Sequence, residues 1–533
     1  MIKEKLVELI SATWLKLCDG EVIDNNFVIE EPPKNIQADF ATNICFQGAR
    51  LIKNSPIKIA EKFIELINEN KVDMIEDIFI AGPGFVNFIL KKELFIEEAL
   101  TRFNSKNYVI KTKNSDKILI EFVSANPTGP LHIGHARGAA IGDSLARILT
   151  RLGHAVDKEY YVNNAGNQID VLAKTLDVRY QQLQGKDIEL PDESYRGKYM
   201  IEIAEQIGIQ SGEIDFKKIV IAKILDLIEG DLKKFNIDFH NWFLETSLIE
   251  DEQFDFAIER LKRSGHLKLV DGAWWLMAGD LGDDDKNRVV IRQDGRPTYF
   301  ATDIAYHANK FKRGYDKLIN IWGADHHGYV ARIKAAVSYL GHEQDDLNIV
   351  LYNLVSLLRN GQKIPMSTRA GEFISLAEVI NEVGVDATRF FLLMRDGNSS
   401  LDFDLELAKA QSSDNPVYYV QYARARIFSI LRKASEDGVK PSNDDFLKTI
   451  KEKEELNLIK MILKYSDIVA LAAKECSSHH ISMYLQELAA KFHNYYAKYK
   501  ISEQPGRLIL IMMIADIIAD GLDLLGVSAP DRM

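Results

Sequence analysis

The rhythm of apolar and polar positions changes along the chain, and each change marks an expected boundary. Up to about residue 105, apolar residues recur at helical spacing, as in Ile57–Asn68, and then form a run from Asp77 to Leu90 broken by Gly82-Pro83-Gly84. A Gly-Pro-Gly break between apolar runs predicts a turn joining strands, so residues 1–105 are expected to form a small α+β domain. The polar stretch Asn104–Asp116 reads as a linker. From Lys117, short β-rich runs alternate with helical ones, the mark of an α/β sheet with crossover connections. Strands are expected at Ile118–Val123, Tyr160–Val162 and Leu318–Trp322, and a helix at Gly134–Leu152. Within this region, 116–400, residues 171–267 turn helical and acidic, as an insertion would. Residues 401–533 read as a helical bundle of their own, in which Asn415-Pro416 supplies an N-cap and a first-turn proline.

Size and composition narrow the class. With 533 residues, three or four domains are expected, and 46% hydrophobic residues supply large cores. A net charge of −12 argues against bulk electrostatic coating of nucleic acid, so any RNA contact must be local. Three scattered cysteines, Cys18, Cys45 and Cys476, make neither a disulfide framework nor a zinc site; they read as reduced thiols in a cytoplasm. Met1–Ile10 has the pattern of a first helix rather than a secretion signal. Leu508–Ala515, the most apolar stretch, is far shorter than the about 20 residues that cross a bilayer, which makes it a buried helix.

The chemistry concentrates after the first strand of the α/β region. Ser124-Ala125-Asn126-Pro127-Thr128-Gly129-Pro130-Leu131-His132-Ile133-Gly134-His135 runs from strand into helix. Such a loop aims backbone N–H groups and the positive helix end at a phosphate. His132 and His135, three apart, share one face of the first turn and can donate to phosphate oxygens, while Gly134 admits a base or ribose close to the backbone. Two histidines that merely cap a helix are the plain alternative; the order of strand, loop, tetrapeptide and helix favours the phosphate.

His132-Ile133-Gly134-His135 is the HIGH tetrapeptide of class I aminoacyl-tRNA synthetases, and its context resembles the arginyl-tRNA synthetase family. The resemblance continues through Tyr160–Gln168, Pro297–His307, Trp322–Tyr329, Asn415–Ile427 and the tail Leu524–Met533. It implies a Rossmann-like class I catalytic domain with helical insertions, an N-terminal α+β domain contacting tRNA, and an all-α anticodon-binding bundle. The implied reaction activates L-arginine with ATP and Mg2+, then transfers it to the terminal adenosine of tRNA(Arg); the chain is read as a monomer without a membrane partner.

Arginine specificity also has a chemical argument, because a buried guanidinium needs carboxylates to accept its fork of donors. Glu121 interrupts an apolar strand, and Asp303 follows Tyr299 by one helical turn. By resemblance, Glu121, Asn126, Tyr299, Asp303 and His326 bind arginine. Gly323 and Asp325, after the strand Leu318–Trp322, fall on the adenosine side of the pocket. The lysine-rich mobile motif of the class is altered here: Met366, Ser367 and Arg369 keep a Met-Ser-x-Arg frame, and both usual lysines are lost. Some relatives compensate with a lysine just upstream of HIGH, where this chain has Gly129. Lys363, on a short Gly361-Gln362 approach read as flexible, and Arg369 are the expected replacement cations. In the helical region, Tyr418, Tyr422, Arg424 and Arg426 mix aromatic and basic groups suited to unpaired bases. Two rival readings are a nucleotidyl-transferring enzyme that acts on a small acid without RNA, and a synthetase-like protein that has lost catalysis.

Overall fold

The computed structural model describes residues 2–18, 27–70, 72–208, 213–250, 253–277, 287–364 and 374–533. Contacts divide the chain into two compact units. One contains residues 1–108, 429–465 and 491–514; the other contains 109–428, 466–490 and 515–533. The helices of 401–533 are therefore shared between the units.

In the first unit, Ile75–Ala81 and Phe85–Leu90 pair antiparallel around the Gly82-Pro83-Gly84 turn, within a four-stranded sheet. Gly82 and Gly84 both have positive φ, which glycine adopts at little cost. Pro56–Glu69 packs Ile59, Phe63 and Ile67 inward, one turn apart, with Ser55 capping its start. Within the helix Pro505–Leu524, the stretch Leu508–Ile514 is wholly apolar and almost entirely buried, as helical segments inside a core are. Among the described residues, no helix is long and apolar enough to cross a membrane.

The second unit is built on a five-stranded sheet. Its strands are β1 (Lys117–Glu121), β2 (Ala155–Val162), β3 (Asn241–Leu244), β4 (Lys317–Gly323) and β5 (Leu347–Tyr352), in spatial order β5-β4-β1-β2-β3. All neighbours pair parallel. The order reverses between β1 and β4, and open α/β sheets bind ligands at the carboxyl ends of the strands flanking such a switch point. Helix α1 (Ile133–Arg151) follows β1, and helix α2 (Tyr299–Lys312) precedes β4. Close approach of α1 uses glycine: a Cβ on Gly138 would lie 2.7 Å from the Tyr352 ring, and one on Gly142 2.3 Å from Phe122. Alanine at Gly142 meets the base of the Phe122 side chain and forces a shift of helix or strand end, whereas at Gly138 it requires the Tyr352 ring to move.

One strand departs from expectation. Residues 171–267 were expected to be a helical insertion, yet β3 lies inside that span and forms the edge of the main sheet. It is four residues long and none of them is buried, so the apolar run that betrays an interior strand is missing. Leu267–Val270, Ala273–Leu276 and Arg288–Ile291 add a separate three-stranded antiparallel sheet.

A buried charge cluster ties α1 to the chain's last residues. Asp143, fully buried on α1, accepts from Arg389 (2.7 Å), Arg147 (2.8 Å) and Lys158 (3.0 Å). Arg389, also fully buried, donates to the carbonyls of Leu525 and Phe235. Burial works to raise the Asp143 carboxyl, but the three cations overcome it and hold the group at about 2. Removing one partner of such a cluster leaves a buried charge uncompensated, so Asp143→Asn is expected to destabilise the catalytic unit by about 3–5 kcal/mol, read from denaturant midpoints. Because the folded pKa lies below the unfolded one, this stabilisation is present above about pH 4 and lost as pH falls toward about 2. An unchanged midpoint in the variant contradicts the assignment.

Candidate active site

The segment from β1 to α1 reaches the switch point by a strained path. Ser124 N–H donates to the Phe122 carbonyl (3.0 Å), closing a γ-turn around Val123 at φ 67°, and Ser124 follows at φ 40°. A β-branched residue in the left-handed region is rare and costly, and persists where the surroundings over-determine it. Here Ser124 Oγ donates to Glu121 Oε1 (2.9 Å) and accepts from Tyr161 N–H (3.1 Å), and Tyr160 OH donates to the Ala125 carbonyl (2.8 Å). Asn126, exposed on this loop, donates to Gln168 (3.0 Å).

His132 and His135 cap the helix they open. His132 Nδ1 accepts from Gly134 N–H (3.1 Å), His135 Nδ1 accepts from His132 N–H (3.4 Å), and the rings stack with centroids 3.7 Å apart. Burial lowers both imidazoles, and burial together with the neighbouring ring takes His135 to about 3. Both are therefore neutral near pH 7. With each Nδ1 accepting, the proton is assigned to Nε2, which makes each ring an N–H donor rather than a cation. Capping and phosphate donation are thus compatible uses of the same pair. The backbone of His132 also bridges to Ser375, and Leu376 N–H donates to the Leu131 carbonyl (2.7 Å).

Four carboxylates gather beside this loop, and they differ in how their charge is met. Glu121 sits in register between Asn320 of β4 and Glu159 of β2. Its Oε2 lies 2.5 Å from Nζ of Lys310, a lysine fully buried on α2. Glu159 accepts a two-pronged contact from Arg313 (2.5 and 2.8 Å), with further bonds from Tyr306 and Asn241 (each 2.6 Å). Asp303 and Glu245 have no such partner: among the described residues, neither forms a salt bridge with a basic side chain. Asp303 keeps some solvent contact but is hemmed in by protein and accepts from Tyr329 OH (2.6 Å). Burial pushes it up to about 7, the Glu121 and Glu245 charges adding to the rise while Tyr329 and Lys310 oppose it. Glu245 is raised by burial and accepts from Tyr161. A guanidinium placed between these two carboxylates meets the charge that burial otherwise suppresses.

Tyr299 opens α2 and is 74% exposed, its hydroxyl beside Gly166. At the end of β4, a Cβ on Gly323 would lie 2.5 Å from Asp325 Oδ1, so this glycine lets Asp325 fold back. Asp325 and His326 are exposed, with 3.7 Å between Asp325 Oδ2 and His326 Nε2. Lys363 differs from expectation. Asn360 and Gly361, both at positive φ, make a two-residue turn between Val355–Arg359 and Gln362–Lys363, so the approach is a paired hairpin rather than a flexible segment. Its Nζ lies 3.4 Å from Ser356 Oγ and 3.5 Å from Asp402. Met366, Ser367 and Arg369 lie outside the described residues. On Pro416–Glu436, the Tyr418 and Tyr422 rings are parallel at 6.1 Å, Arg426 bonds Tyr422, and Arg424 pairs with Asp531 of the tail.

Sequence reasoning missed Glu245, Lys310 and His307. Glu245 is a lone acid beyond a short edge strand, and Lys310 in a last helical turn reads as a solvated charge. His307 stood inside a quoted segment, but nothing in sequence shows it to be 2% exposed.

Comparison with known proteins is consistent along the whole chain. Residues 2–90 match the family described as arginyl tRNA synthetase N terminal domain, residues 96–401 tRNA synthetases class I (R), catalytic domain, and residues 420–533 DALR anticodon binding domain. An arginine–tRNA ligase of Desulfosudis oleivorans is 44% identical, covering 95% of this chain and 94% of the relative. One from Syntrophotalea carbinolica is 45% identical over the full length of both. The solved Thermus thermophilus arginyl-tRNA synthetase, 21% identical, shares the fold over 100% of both chains with a TM-score of 0.78. With the HIGH pair at the switch point of a doubly wound sheet and these relatives at full length, the chain belongs to the arginyl-tRNA synthetase family.

Proposed function

We propose that this protein is an active arginine–tRNA ligase whose amino-acid pocket is formed around Asp303 and Glu245. The observation that carries the reading is the pairing, at one switch point, of two half-buried carboxylates, neither with a basic partner among the described residues, with two neutral histidine donors. Asp303 and Glu245 accept the guanidinium; Tyr299, Asn126 and His326 line the rim. In the first step an arginine carboxylate oxygen attacks the α-phosphorus of ATP, a P–O bond forms to give the arginyl-adenylate, and the bond to pyrophosphate breaks. In the second, the 2′-hydroxyl of the terminal adenosine attacks the carbonyl carbon and AMP leaves. His132 and His135 donate through Nε2 to phosphate oxygens where negative charge develops, while Gly134, Gly323 and Asp325 seat the adenosine. Met366 and Ser367 complete the nucleotide loop, with Arg369 and Lys363 as its cations.

Magnesium belongs with the ATP phosphates. Among the described residues no group of three His, Cys, Asp or Glu side chains is placed to hold a metal ion, and Mg2+ bound through phosphate oxygens and water needs none. When bound, it neutralises phosphate charge. Tyr418, Tyr422 and Arg426 offer stacking and positive charge to anticodon bases of tRNA(Arg); Arg424, engaged by Asp531 and the Ala529 carbonyl, acts by holding the tail. We take the enzyme to be a cytoplasmic monomer.

Asp303→Asn is expected to raise the arginine KM severely, by about 2–5 kcal/mol of lost binding, with the ATP KM nearly unchanged; equal loss of both contradicts a guanidinium role. His132→Ala and His135→Ala are each expected to slow adenylate formation by on the order of 10²-fold with little effect on ATP affinity in single-turnover measurements. Unchanged rates in both variants sink the phosphate assignment. A pH series supplies a third check. Because Asp303 titrates near 7 and arginine needs its charged form, the arginine KM is expected to fall as pH rises from 6 to 8, and Asp303→Asn to flatten that limb. Folding stability runs the opposite way, since the raised carboxyl contributes stability that is fully present below about pH 4 and is lost as pH rises through about 7.

A further inference from the structure

The loop between β1 and α1 carries Asn126 and leads into His132, and two of its residues, Pro127 and Pro130, have no N–H to give. Three of its carbonyls, spaced three residues apart, are held from outside. Tyr160 OH of β2 donates to Ala125 (2.8 Å), Tyr199 OH to Thr128 (2.6 Å) and Leu376 N–H to Leu131 (2.7 Å). The middle contact spans 71 positions of sequence and comes from the 171–267 insertion. Tyr199 is the second residue of the helix Lys198–Ile207. Four residues earlier, Tyr195 meets the Thr128 side chain, and its N–H donates to Thr175 Oγ1 (3.4 Å) on the helix Asn167–Leu183. That second helix starts beside the same loop, where Gln168 accepts from Asn126 (3.0 Å). The two helices pack against each other, with Leu172 and Leu176 of one and Met200 and Ile203 of the other buried. One packed module thus grips the loop at Asn126 and at Thr128.

The fit around the Tyr199 ring is close on two sides. A Cβ on Gly197 would lie 2.2 Å from its Cε1, and one on Gly129 3.1 Å from its Cζ and its hydroxyl oxygen. Neither glycine has a positive φ, so each place requires a missing side chain and not an unusual backbone. Gly197 lets the ring fold back along its own chain toward Thr128, and Gly129 receives it. Burial raises the Tyr199 phenol, so the group remains a protonated donor. We infer that Tyr199 is a positioning residue for the activation step: through its hydroxyl the insertion holds the loop that sets His132 and His135 against the α-phosphate. This rests on the reading of that pair as phosphate donors. The reach of Tyr199 ends on the Thr128 carbonyl, four residues before His132, so it acts through the loop and touches no reacting atom in this arrangement. Donors aimed at developing charge lose their effect with small displacements, and a misplacement of about 1 Å can cost on the order of 10²-fold. Loss of one of the three carbonyl holds, with the other two intact, displaces the loop by less than that.

The test measures pyrophosphate release in a single turnover at saturating ATP, arginine and tRNA, beside transfer to tRNA from synthetic arginyl-adenylate. Tyr199→Phe, which removes the hydroxyl alone, is expected to slow pyrophosphate release about tenfold while leaving the transfer rate and both substrate KM values within about twofold of the parent. Gly197→Ala, which keeps the hydroxyl but displaces the ring, is expected to do the same. Because both break one contact, the double variant is expected to lie within about twofold of the slower single variant. In a His132→Ala background, Tyr199→Phe is expected to cost less than about threefold, since a donor it positions is already gone. A parental release rate in Tyr199→Phe or in Gly197→Ala overturns the inference. Equal slowing of both steps, which marks a structural role, overturns it as well, as do multiplying effects in the double variant or a full tenfold cost of Tyr199→Phe without His132. A parent enzyme that releases no pyrophosphate in response to arginine refutes the functional reading instead.

Discussion

A carboxylate removed from water must meet a positive charge or take up a proton, and the catalytic unit is arranged around that constraint. Asp143, Glu121 and Glu159 meet it with cations of the fold, Arg389, Lys310 and Arg313. Each pair joins two elements: α1 to the helix of Arg389, and the central strands to α2. Asp303 and Glu245 are the exceptions, with no basic partner among the described residues. Fixed pairs hold the architecture, and the exceptional pair gives it a reason to bind a cation. A guanidinium suits that place because its planar fork satisfies two carboxylates at once, which a compact ammonium does not.

The same economy governs the nucleotide side. Histidines that cap their own helix lose the freedom to rotate and keep their proton on Nε2, so the two donors are set before a phosphate arrives. Donors that need no reorganisation at the moment of reaction are the effective kind. The strained turn at Val123 links the two halves of the site, since Ser124 touches the carboxylate row on one side and leads to the histidine loop on the other. Displacing Glu121 therefore disturbs both substrates' positions.

Much of this was legible in the residues. The strand, loop and helix around His132 and His135 follow from turn chemistry and helix-start rules, and Asp303 stood out as an acid one turn beyond an aromatic at a helix start. Partners brought together from distant segments were not legible. Glu245 follows a four-residue edge strand that carries no apolar run, and Lys310 shows only the helical spacing that a surface lysine also has. The counterion of Glu121 comes from 189 positions away, a separation no local pattern records. The hairpin at Asn360-Gly361 was a missed local signal, since that dipeptide between β-rich runs is itself a turn signature.

The account depends most on the claim that arginine binds as a cation to a carboxyl that is partly protonated in its absence. Calorimetric titration of arginine into the enzyme at pH 7, repeated in buffers of different ionisation enthalpy, measures the protons exchanged on binding. With Asp303 near 7 before arginine binds and ionised afterwards, about half a proton is expected to be released per arginine, and Asp303→Asn is expected to abolish the release. Binding without proton exchange, or with net uptake, contradicts the account.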